Sequence, residues 1–238
     1  MLRLFMTMLV VLATLTTKAQ PSNGHTLTIG DQRISIVFYT PDIVRITKSP
    51  VNHIYEEQKS EVVTLSPQKD LHVTSTQGAA VLRLKSSSLQ VSIDRRTGLV
   101  SFATANGKKL LKEKDITFET RSQGTDKGRF KVSQTYTLDK DEAIYGLGTV
   151  QDGRLNRRGL SKHVEQSNLE DFQNVIQSIK GWGIYWDNYS RAHFSDNTQG
   201  MTFCAEVGDC ADYYFMYGKT ADGVNRCMRK LAGEVPMF

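Results

Sequence analysis

The stretch VSIDRRTGLVSF, Val91 to Phe102, decides the fold class of this chain. On both sides of its DRRTG centre, apolar and polar residues alternate, which is typical of half-buried β-strands. Gly98 lies where a tight turn between antiparallel strands requires a positive φ. The stretch therefore predicts a β-hairpin.

The same pattern continues in both directions. Asn106-Gly107 in ATANGKKLL predicts a second hairpin turn. We predict further strands at RISIVFY, DIVRITK, EVVTLS, LHVTST, AVLRLK, LQVSID, LVSFAT, DITFET, FKVSQTYTL, VIQSI, GWGIYWDN, RAHFSD, MTFCAEVG and ADYYFMYG. The charged stretch GKKLLKEK, Gly107 to Lys114, is interpreted as a solvated strand edge. Short strands with turns and no helices between them predict an all-β fold, a two-sheet antiparallel β-sandwich.

A short C-terminal helix is predicted after the last strand. Thr220 can cap its N-terminus, and an apolar stripe follows at helical spacing: Val224, Cys227, Met228 and Leu231. Gly233 can end the helix. By contrast, the segment from Thr149 to about Asn174 is polar and poor in strand pattern, which is typical of a functional loop.

The first nineteen residues have the features of a secretory signal peptide. Arg3 precedes an apolar run from Leu4 to about Leu15, which is shorter than the ~20 residues that span a bilayer. We therefore expect export to the periplasm or the cell exterior, with residues 1–19 removed and residues 20–238 forming one domain. No later stretch resembles a membrane span.

Composition argues against several classes of partner. The formal charge of +5 is spread along the chain, whereas a nucleic-acid-binding protein would cluster it on one face. No spacing of cysteine and histidine suggests zinc, so we expect no metal and no cofactor. Cys204, in an apolar strand, and Cys227, on the apolar side of the helix, are interpreted as small core residues and not as ligands. A disulfide between Cys204 and Cys210 is the less favoured alternative, and the odd number of cysteines leaves at least one thiol free or paired between chains.

The chain has no recognisable catalytic constellation, since GxSxG and HExxH are both absent. Glycoside hydrolysis uses two carboxyl groups at a defined separation, which sequence spacing alone does not establish. The candidate carboxylates read as solvated or turn residues: Glu165, Glu170, Asp171, Asp187, Glu206, Asp209 and Asp212. The histidines are scattered and read as structural: His25, His53, His72, His163 and His193.

The aromatic stretch KGWGIYWDNYS, Lys180 to Ser190, has two interpretations. On an extended strand Trp182, Ile184 and Trp186 share one face, which favours a core strand. The other face carries Tyr185, Asp187 and Tyr189. The alternative is a sugar-stacking platform formed by Tyr185 and the tryptophans. Gly181 and Gly183 would permit close approach of another backbone, or a bulge.

Three stretches resemble glycoside hydrolase family 31, the α-glucosidase and α-xylosidase family. They are EAIYGLGTVQDGRLNRRG (142–159), QSIKGWGIYWDNYS (177–190) and EVGDCADYYFMYGKTADGVNRCMRKLAGEVPMF (206–238). The resemblance implies a galactose-mutarotase-like sandwich that precedes a catalytic (β/α)8 barrel carrying both catalytic aspartates. It implies a retaining mechanism, and no catalytic residue within this chain, which should be inactive alone.

The resemblance also implies that a loop of this domain shapes the substrate pocket. The matching segment is 162–174, in which Gln166 and Asn168 are the candidate contacts to an α-linked oligosaccharide. A solvated surface loop is the alternative. Two other functions remain open, a non-catalytic carbohydrate-binding module and a structural domain that docks on the barrel. The sequence is compatible with a homo-oligomer and does not choose between α-xylosides and α-glucosides.

Overall fold

The computed structural model describes residues 23–53 and 59–234, and the predicted signal peptide lies outside them. The strands are, in chain order, β1 (Gly24–Ile29), β2 (Gln32–Thr40), β3 (Ile43–Pro50), β4 (Thr74–Gln77), β5 (Val81–Lys85), β6 (Leu89–Asp94), β7 (Val100–Thr104), β8 (Lys109–Thr120), β9 (Phe130–Thr137), β10 (Ile144–Gly146), β11 (Ser161–Val164), β12 (Val175–Ser178), β13 (Trp182–Trp186), β14 (Ala192–Asn197), β15 (Gly200–Gly208) and β16 (Ala211–Tyr217). The helix α1 (Ala221–Ala232) follows.

The strands form two antiparallel sheets, as predicted. A seven-stranded sheet has the order β1-β2-β3-β16-β13-β12-β10, and a nine-stranded sheet has the order β11-β14-β15-β9-β8-β7-β6-β5-β4. Both predicted hairpin turns are confirmed, with φ of +73° at Gly98 and +86° at Gly107. The fold is therefore the predicted β-sandwich.

The strand β13 confirms the core interpretation of the aromatic stretch. Trp182, Ile184 and Trp186 are fully buried between the sheets. The Trp186 ring stacks on Phe203 of the opposite sheet, with ring centroids 5.9 Å apart. These rings have no face available to a sugar, and Tyr185 on the other face is only 5% exposed. The sugar platform on this strand is therefore excluded.

The helix α1 packs on the outer face of the seven-stranded sheet, and its predicted ends are confirmed. Gly223 N donates to Thr220 Oγ1 at 3.1 Å, and Gly233 follows the last turn with φ of +89°. The buried residues Val224, Cys227 and Leu231 contact β3, β13 and β16 through a second apolar cluster, which also holds Ile43, Tyr185, Tyr214 and Met216. Burial raises the pKa of the Cys227 thiol to about 12.

Two sequence interpretations were wrong. The stretch EVVTLS, 61–66, is not a strand, because it lies against the helix: Thr64 N and Leu65 N donate to Leu231 O at 3.0 and 3.2 Å. The stretch GKKLLKEK does not form a sheet edge, since β8 lies between β7 and β9. Its consecutive Leu110 and Leu111 are both buried beside an irregularity in the β7–β8 register.

The polar segment after Thr149 contains more structure than its pattern indicated. Residues 161–164 form the edge strand β11, and Thr149 pairs with Asp171 in an isolated antiparallel bridge. In contrast, LHVTST contributes only its last residues to a strand, since β4 begins at Thr74. Boundaries of short strands depend on partners distant in sequence, and periodicity within a segment does not specify those partners.

A buried ion pair crosses the sandwich. Lys48 of β3 binds Glu113 of β8, and both side chains are fully buried. Lys48 Nζ also donates to Gly98 O at 2.9 Å, while Tyr213 Oη donates to Glu113 Oε1 at 2.7 Å. The backbone N–H of Val100 donates to the same carboxylate. These bonds satisfy charges that would otherwise be costly to bury, and they fix one sheet relative to the other.

Replacing one partner should destabilise the domain much more than replacing both. Lys48→Met or Glu113→Gln is expected to lower the free energy of unfolding by about 3–5 kcal/mol, because the remaining group loses its buried partner. The double variant should lose less than the sum of the two single losses. Urea unfolding measures all three, with Glu119→Gln in the exposed Lys131–Glu119 pair as the control. Additive losses would contradict a direct coupling.

Candidate functional site

An open groove of about 740 Å³ lies beside the helix at the edge of the sandwich, and we call it the edge groove. One wall is the loop 164–175, a second is the turn 188–191, and a third is the last turn of α1 with Val62. Its lining combines apolar and polar side chains, including Phe172, Tyr185, Met228, Asn174, Asn188 and Ser190. Such a size and composition suit an organic ligand or an inserted segment of another domain.

The turn after β13 forms the middle wall of the edge groove. Asn188 Oδ1 accepts from Ser190 N at 2.9 Å and from Ser190 Oγ at 2.7 Å. Asn188 Nδ2 donates to Val207 O at 3.2 Å, and Asn174 Nδ2 donates to Asn188 O at 2.9 Å. The paired polar residues of the WDNYS stretch therefore hold this turn in place and join it to the loop.

Tyr189 is an aromatic residue that the sequence analysis did not select as a ligand contact. Its ring is 60% exposed, and it lines both the edge groove and a neighbouring polar pocket of about 400 Å³. Its hydroxyl accepts from Glu61 N at 2.7 Å and lies 3.1 Å from Ser60 Oγ. Partial burial raises its pKa. Because β13 ends at Trp186, the alternation of side chains along a strand does not indicate on which side Tyr189 lies.

The two candidate sugar contacts differ in their hydrogen bonding. Gln166 Nε2 donates to Phe172 O at 2.9 Å, and Gln166 Oε1 accepts from Phe172 N at 3.1 Å. These two hydrogen bonds join the ends of the loop 166–172, and we call them the Gln166 clamp. Gln166 also lines the edge groove. Asn168 is exposed at the tip of that loop, and its side-chain amide has no hydrogen bond within the described part of the chain.

The loop is also held by contacts with two residues that precede it in the chain, Lys162 and Gln151. Lys162 pairs with Glu170, and this hydrogen bond lowers the pKa of the Glu170 carboxyl. Gln151 Nε2 donates to Leu169 O at 2.5 Å. Leu169 itself is 72% exposed at the loop tip. These contacts hold the backbone of Leu169 and the side chain of Glu170 near the loop tip, where Asn168 and Leu169 are exposed.

Most of the remaining carboxylate candidates form hydrogen bonds or ion pairs with neighbouring side chains. Asp212 forms a two-pronged ion pair with Arg45, with contacts of 2.9 and 2.6 Å. The other pairs are Glu165 and Glu206 with Arg191, Asp209 with Arg129 and His53, and Asp187 with the Tyr185 hydroxyl. Asp171 contributes its backbone to the bridge with Thr149. These contacts support the interpretation of these groups as structural.

The described histidines and cysteines are mostly separate from one another. Over residues 23–53 and 59–234, no group of three or more His, Cys, Asp or Glu side chains is arranged to hold a metal ion. Within the same residues, Cys204, Cys210 and Cys227 form no disulfide bond. Cys227 is buried as predicted, but the core interpretation of Cys204 was wrong, because this residue is only partly buried and alternates with the core residues Phe203 and Ala205. His163 and His193 lie side by side on the outer face of the nine-stranded sheet. Among the described residues, no helix is long and apolar enough to cross a membrane.

Comparisons with known proteins identify a domain type. Residues 33–195 match the model of the glycosyl hydrolase 31 N-terminal galactose mutarotase-like domain. An alpha-xylosidase of Saccharolobus solfataricus is 29% identical over 230 residues, which is 88% of this chain and 29% of that protein. A family 31 glucosidase of Pseudescherichia vulneris is 26% identical over 46% of this chain and 21% of its own length. The chain thus spans less than a third of these relatives.

Solved structures share the fold. A GH31 alpha-xylosidase from a soil metagenome, complexed with xylose, superimposes with a TM-score of 0.81 at 20% identity, over 92% of this chain and 35% of that one. A GH31 alpha-xylosidase of Xanthomonas citri gives 0.69 at 25% identity, over 75% of this chain and 20% of that one.

Removing the Gln166 clamp should loosen the loop without unfolding the sandwich. In Gln166→Ala, the Phe172 amide is expected to exchange its hydrogen about fivefold faster, since a typical hydrogen bond contributes roughly 1 kcal/mol. Hydrogen exchange followed by mass spectrometry measures this change. Asn168→Ala is the matched control, because its amide makes no such bond within the described chain. Equal exchange in both variants would show that Gln166 does not hold the loop.

Proposed function

Since the chain belongs to glycosyl hydrolase family 31, as its N-terminal galactose mutarotase-like domain, we propose that it is the substrate-shaping part of an exported, retaining α-glycosidase. The catalytic aspartates belong to a barrel domain that follows in the whole protein. The observation that carries this proposal is the loop 164–175, whose two ends line the edge groove and whose tip exposes Asn168. Export rests on the signal-like residues 1–19.

The proposed substrates are α-xylosides, with α-glucosides as the second class. The relative that matches 88% of this chain is an alpha-xylosidase, which favours the first class. A retaining glycosidase uses two carboxyl groups, one as nucleophile and one as acid and base. Most of the candidate carboxylates of the described chain make structural contacts, and we assign this chemistry to the barrel.

Within the loop, we assign different tasks to the two amides. Asn168 can both donate to and accept from sugar hydroxyls, and its side chain is exposed. Gln166 already uses its donor and its acceptor on the Phe172 backbone. Gln166 therefore sets the shape of the loop, and Asn168 makes the contact with the sugar.

We propose that the edge groove is the surface on which the barrel domain packs. The helix ends at Ala232 and Gly233 lines the groove, so the chain leaves the described residues at this surface. The matched relatives are more than three times as long as the aligned region, so they contain further chain to occupy it. Apolar groups such as Phe172 and Met228 in the groove gain stability when covered.

A carbohydrate-binding module is the second candidate function, because the Tyr189 ring is 60% exposed in the same groove. An exposed aromatic face suits the C–H face of a sugar ring. In this function the groove holds an oligosaccharide directly, and the chain binds sugar without the barrel.

The first experiment compares this chain with the longer protein that contains the following domain. The longer protein should hydrolyse aryl α-xylosides, and the 238-residue chain should be inactive in the same assay. Hydrolysis by the isolated chain would refute the proposed division of tasks. Titration of the chain with xylo- and gluco-oligosaccharides tests the second function, for which binding must be weakened by Tyr189→Ala.

Asn168→Ala in the longer protein should raise KM for an α-xyloside by about 2- to 10-fold, the equivalent of one hydrogen bond. The unfolding temperature should stay unchanged, because this amide has no hydrogen-bond partner among the described residues. Steady-state kinetics measures the effect, and Gln123→Ala, an exposed amide between β8 and β9, is the control. An unchanged KM for Asn168→Ala would remove this residue from the site.

A further inference from the structure

The outer face of the nine-stranded sheet carries an aligned row of side chains next to its edge. The residues are paired in register from one strand to the next: His163 of β11 with His193 of β14, His193 with Cys204 of β15, and Cys204 with Ser133 of β9. The flanking residues Phe194, Phe203 and Ala205 point into the core. Strand alternation therefore directs His193 and Cys204 to the outer face, which we call the histidine row.

Two imidazoles meet at the edge of this row. The rings of His163 and His193 are edge to face, with centroids 5.0 Å apart. His193 Nε2 lies 3.2 Å from Ser161 Oγ, and no hydrogen bond occupies the His163 ring or His193 Nδ1 within the described residues.

We propose that His163 and His193 form a two-imidazole surface site for a borderline divalent transition metal, such as Ni²⁺ or Cu²⁺. Imidazole suits these ions, which accept ligands of intermediate softness. Water completes the coordination sphere, since the described side chains contain no ready-made group of three ligands. Cys204 is the next side chain in the row and is not required as a ligand.

The charged side chains beside the row form ion pairs with one another. Two residues beyond His163, Glu165 pairs with Arg191, and Arg191 also lies 3.8 Å from Glu206. Lys131 pairs with Glu119 at 3.6 Å. The positive charge of Arg191 is thus paired with two carboxylates, and that of Lys131 with one. On the opposite side, the row is bordered by hydroxyls, including Thr135 and Thr202 in mutual contact at 2.9 Å.

A bound metal would tie β11 to β14. The strand β11 has only four residues and pairs on one side alone, so its pairing is weak compared with that of central strands. The loop 164–175 begins where β11 ends. A metal that joins His163 to His193 therefore steadies the strand from which the loop extends, and this effect does not depend on the proposed enzymatic function.

The test is a calorimetric titration of the untagged, full chain with Ni²⁺ in a non-chelating buffer with a non-thiol reductant. One ion should bind per chain. His163→Ala and His193→Ala should each weaken binding by more than the ~10–100-fold that follows loss of an outer partner. His72→Ala, an exposed histidine outside the row, should bind like the original chain. Binding that survives in His163→Ala/His193→Ala, or no binding at all, overturns the proposal.

Two further measurements test the choice of ligands and the bridge between the strands. Cys204→Ser should keep its Ni²⁺ affinity, because the imidazoles carry the site, and loss of binding in this variant would contradict the assignment. In the Cys204→Ser chain, Cu²⁺ should bind more tightly than Ni²⁺, as the usual order of divalent metals requires. Saturating Ni²⁺ should also slow hydrogen exchange in β11, whereas unchanged exchange would show that no ion bridges the two strands.

Discussion

The close packing of the helix α1 against β13 depends on small residues where the two elements meet, and Gly183 is one of them. A Cβ on Gly183 would lie 2.5 Å from Val224 Cγ1, and no rearrangement of a fully packed strand and helix avoids that contact cheaply. At the start of the same stretch, Gly181 has φ of +75°, and a Cβ there would collide with the backbone of Lys219. The two glycines therefore bring the helix onto β13, and the last turn of that helix forms a wall of the edge groove.

The periodic elements of this fold were predictable, whereas the pairing between them was not. Alternation around Gly98 correctly predicted a hairpin, and the stripe from Val224 to Leu231 correctly predicted the buried side of a helix. The stretch 61–66 has the same apolar character as a strand, but its amides bind Leu231 O instead of a neighbouring strand. The local alternation of apolar and polar residues indicates which side chains are buried. It does not indicate which strand or helix covers them.

The candidate site shows the same limit at the level of single groups. Gln166 and Asn168 carry the same functional group two residues apart, and their sequence pattern does not distinguish them. In the structure the Gln166 amide donates one hydrogen bond to the Phe172 backbone and accepts one from it, while the exposed Asn168 amide meets no hydrogen-bonding group of the described chain. The difference arises from the fold of the loop, which places the backbone N–H and C=O of Phe172 within hydrogen-bonding distance of Gln166.

The described interior of the sandwich is packed with side chains, and the edge groove lies at its periphery. The inner faces are filled by large apolar side chains such as Trp182 and Trp186, and the Lys48–Glu113 pair is enclosed and fully bonded. At the edge, the short strand β11 carries a histidine of the row and leads directly into the loop with Asn168. Because this strand pairs on one side only, its position is the least constrained part of the site. The pairing of β11 with β14 therefore also determines the position of the loop 164–175, which follows β11 directly.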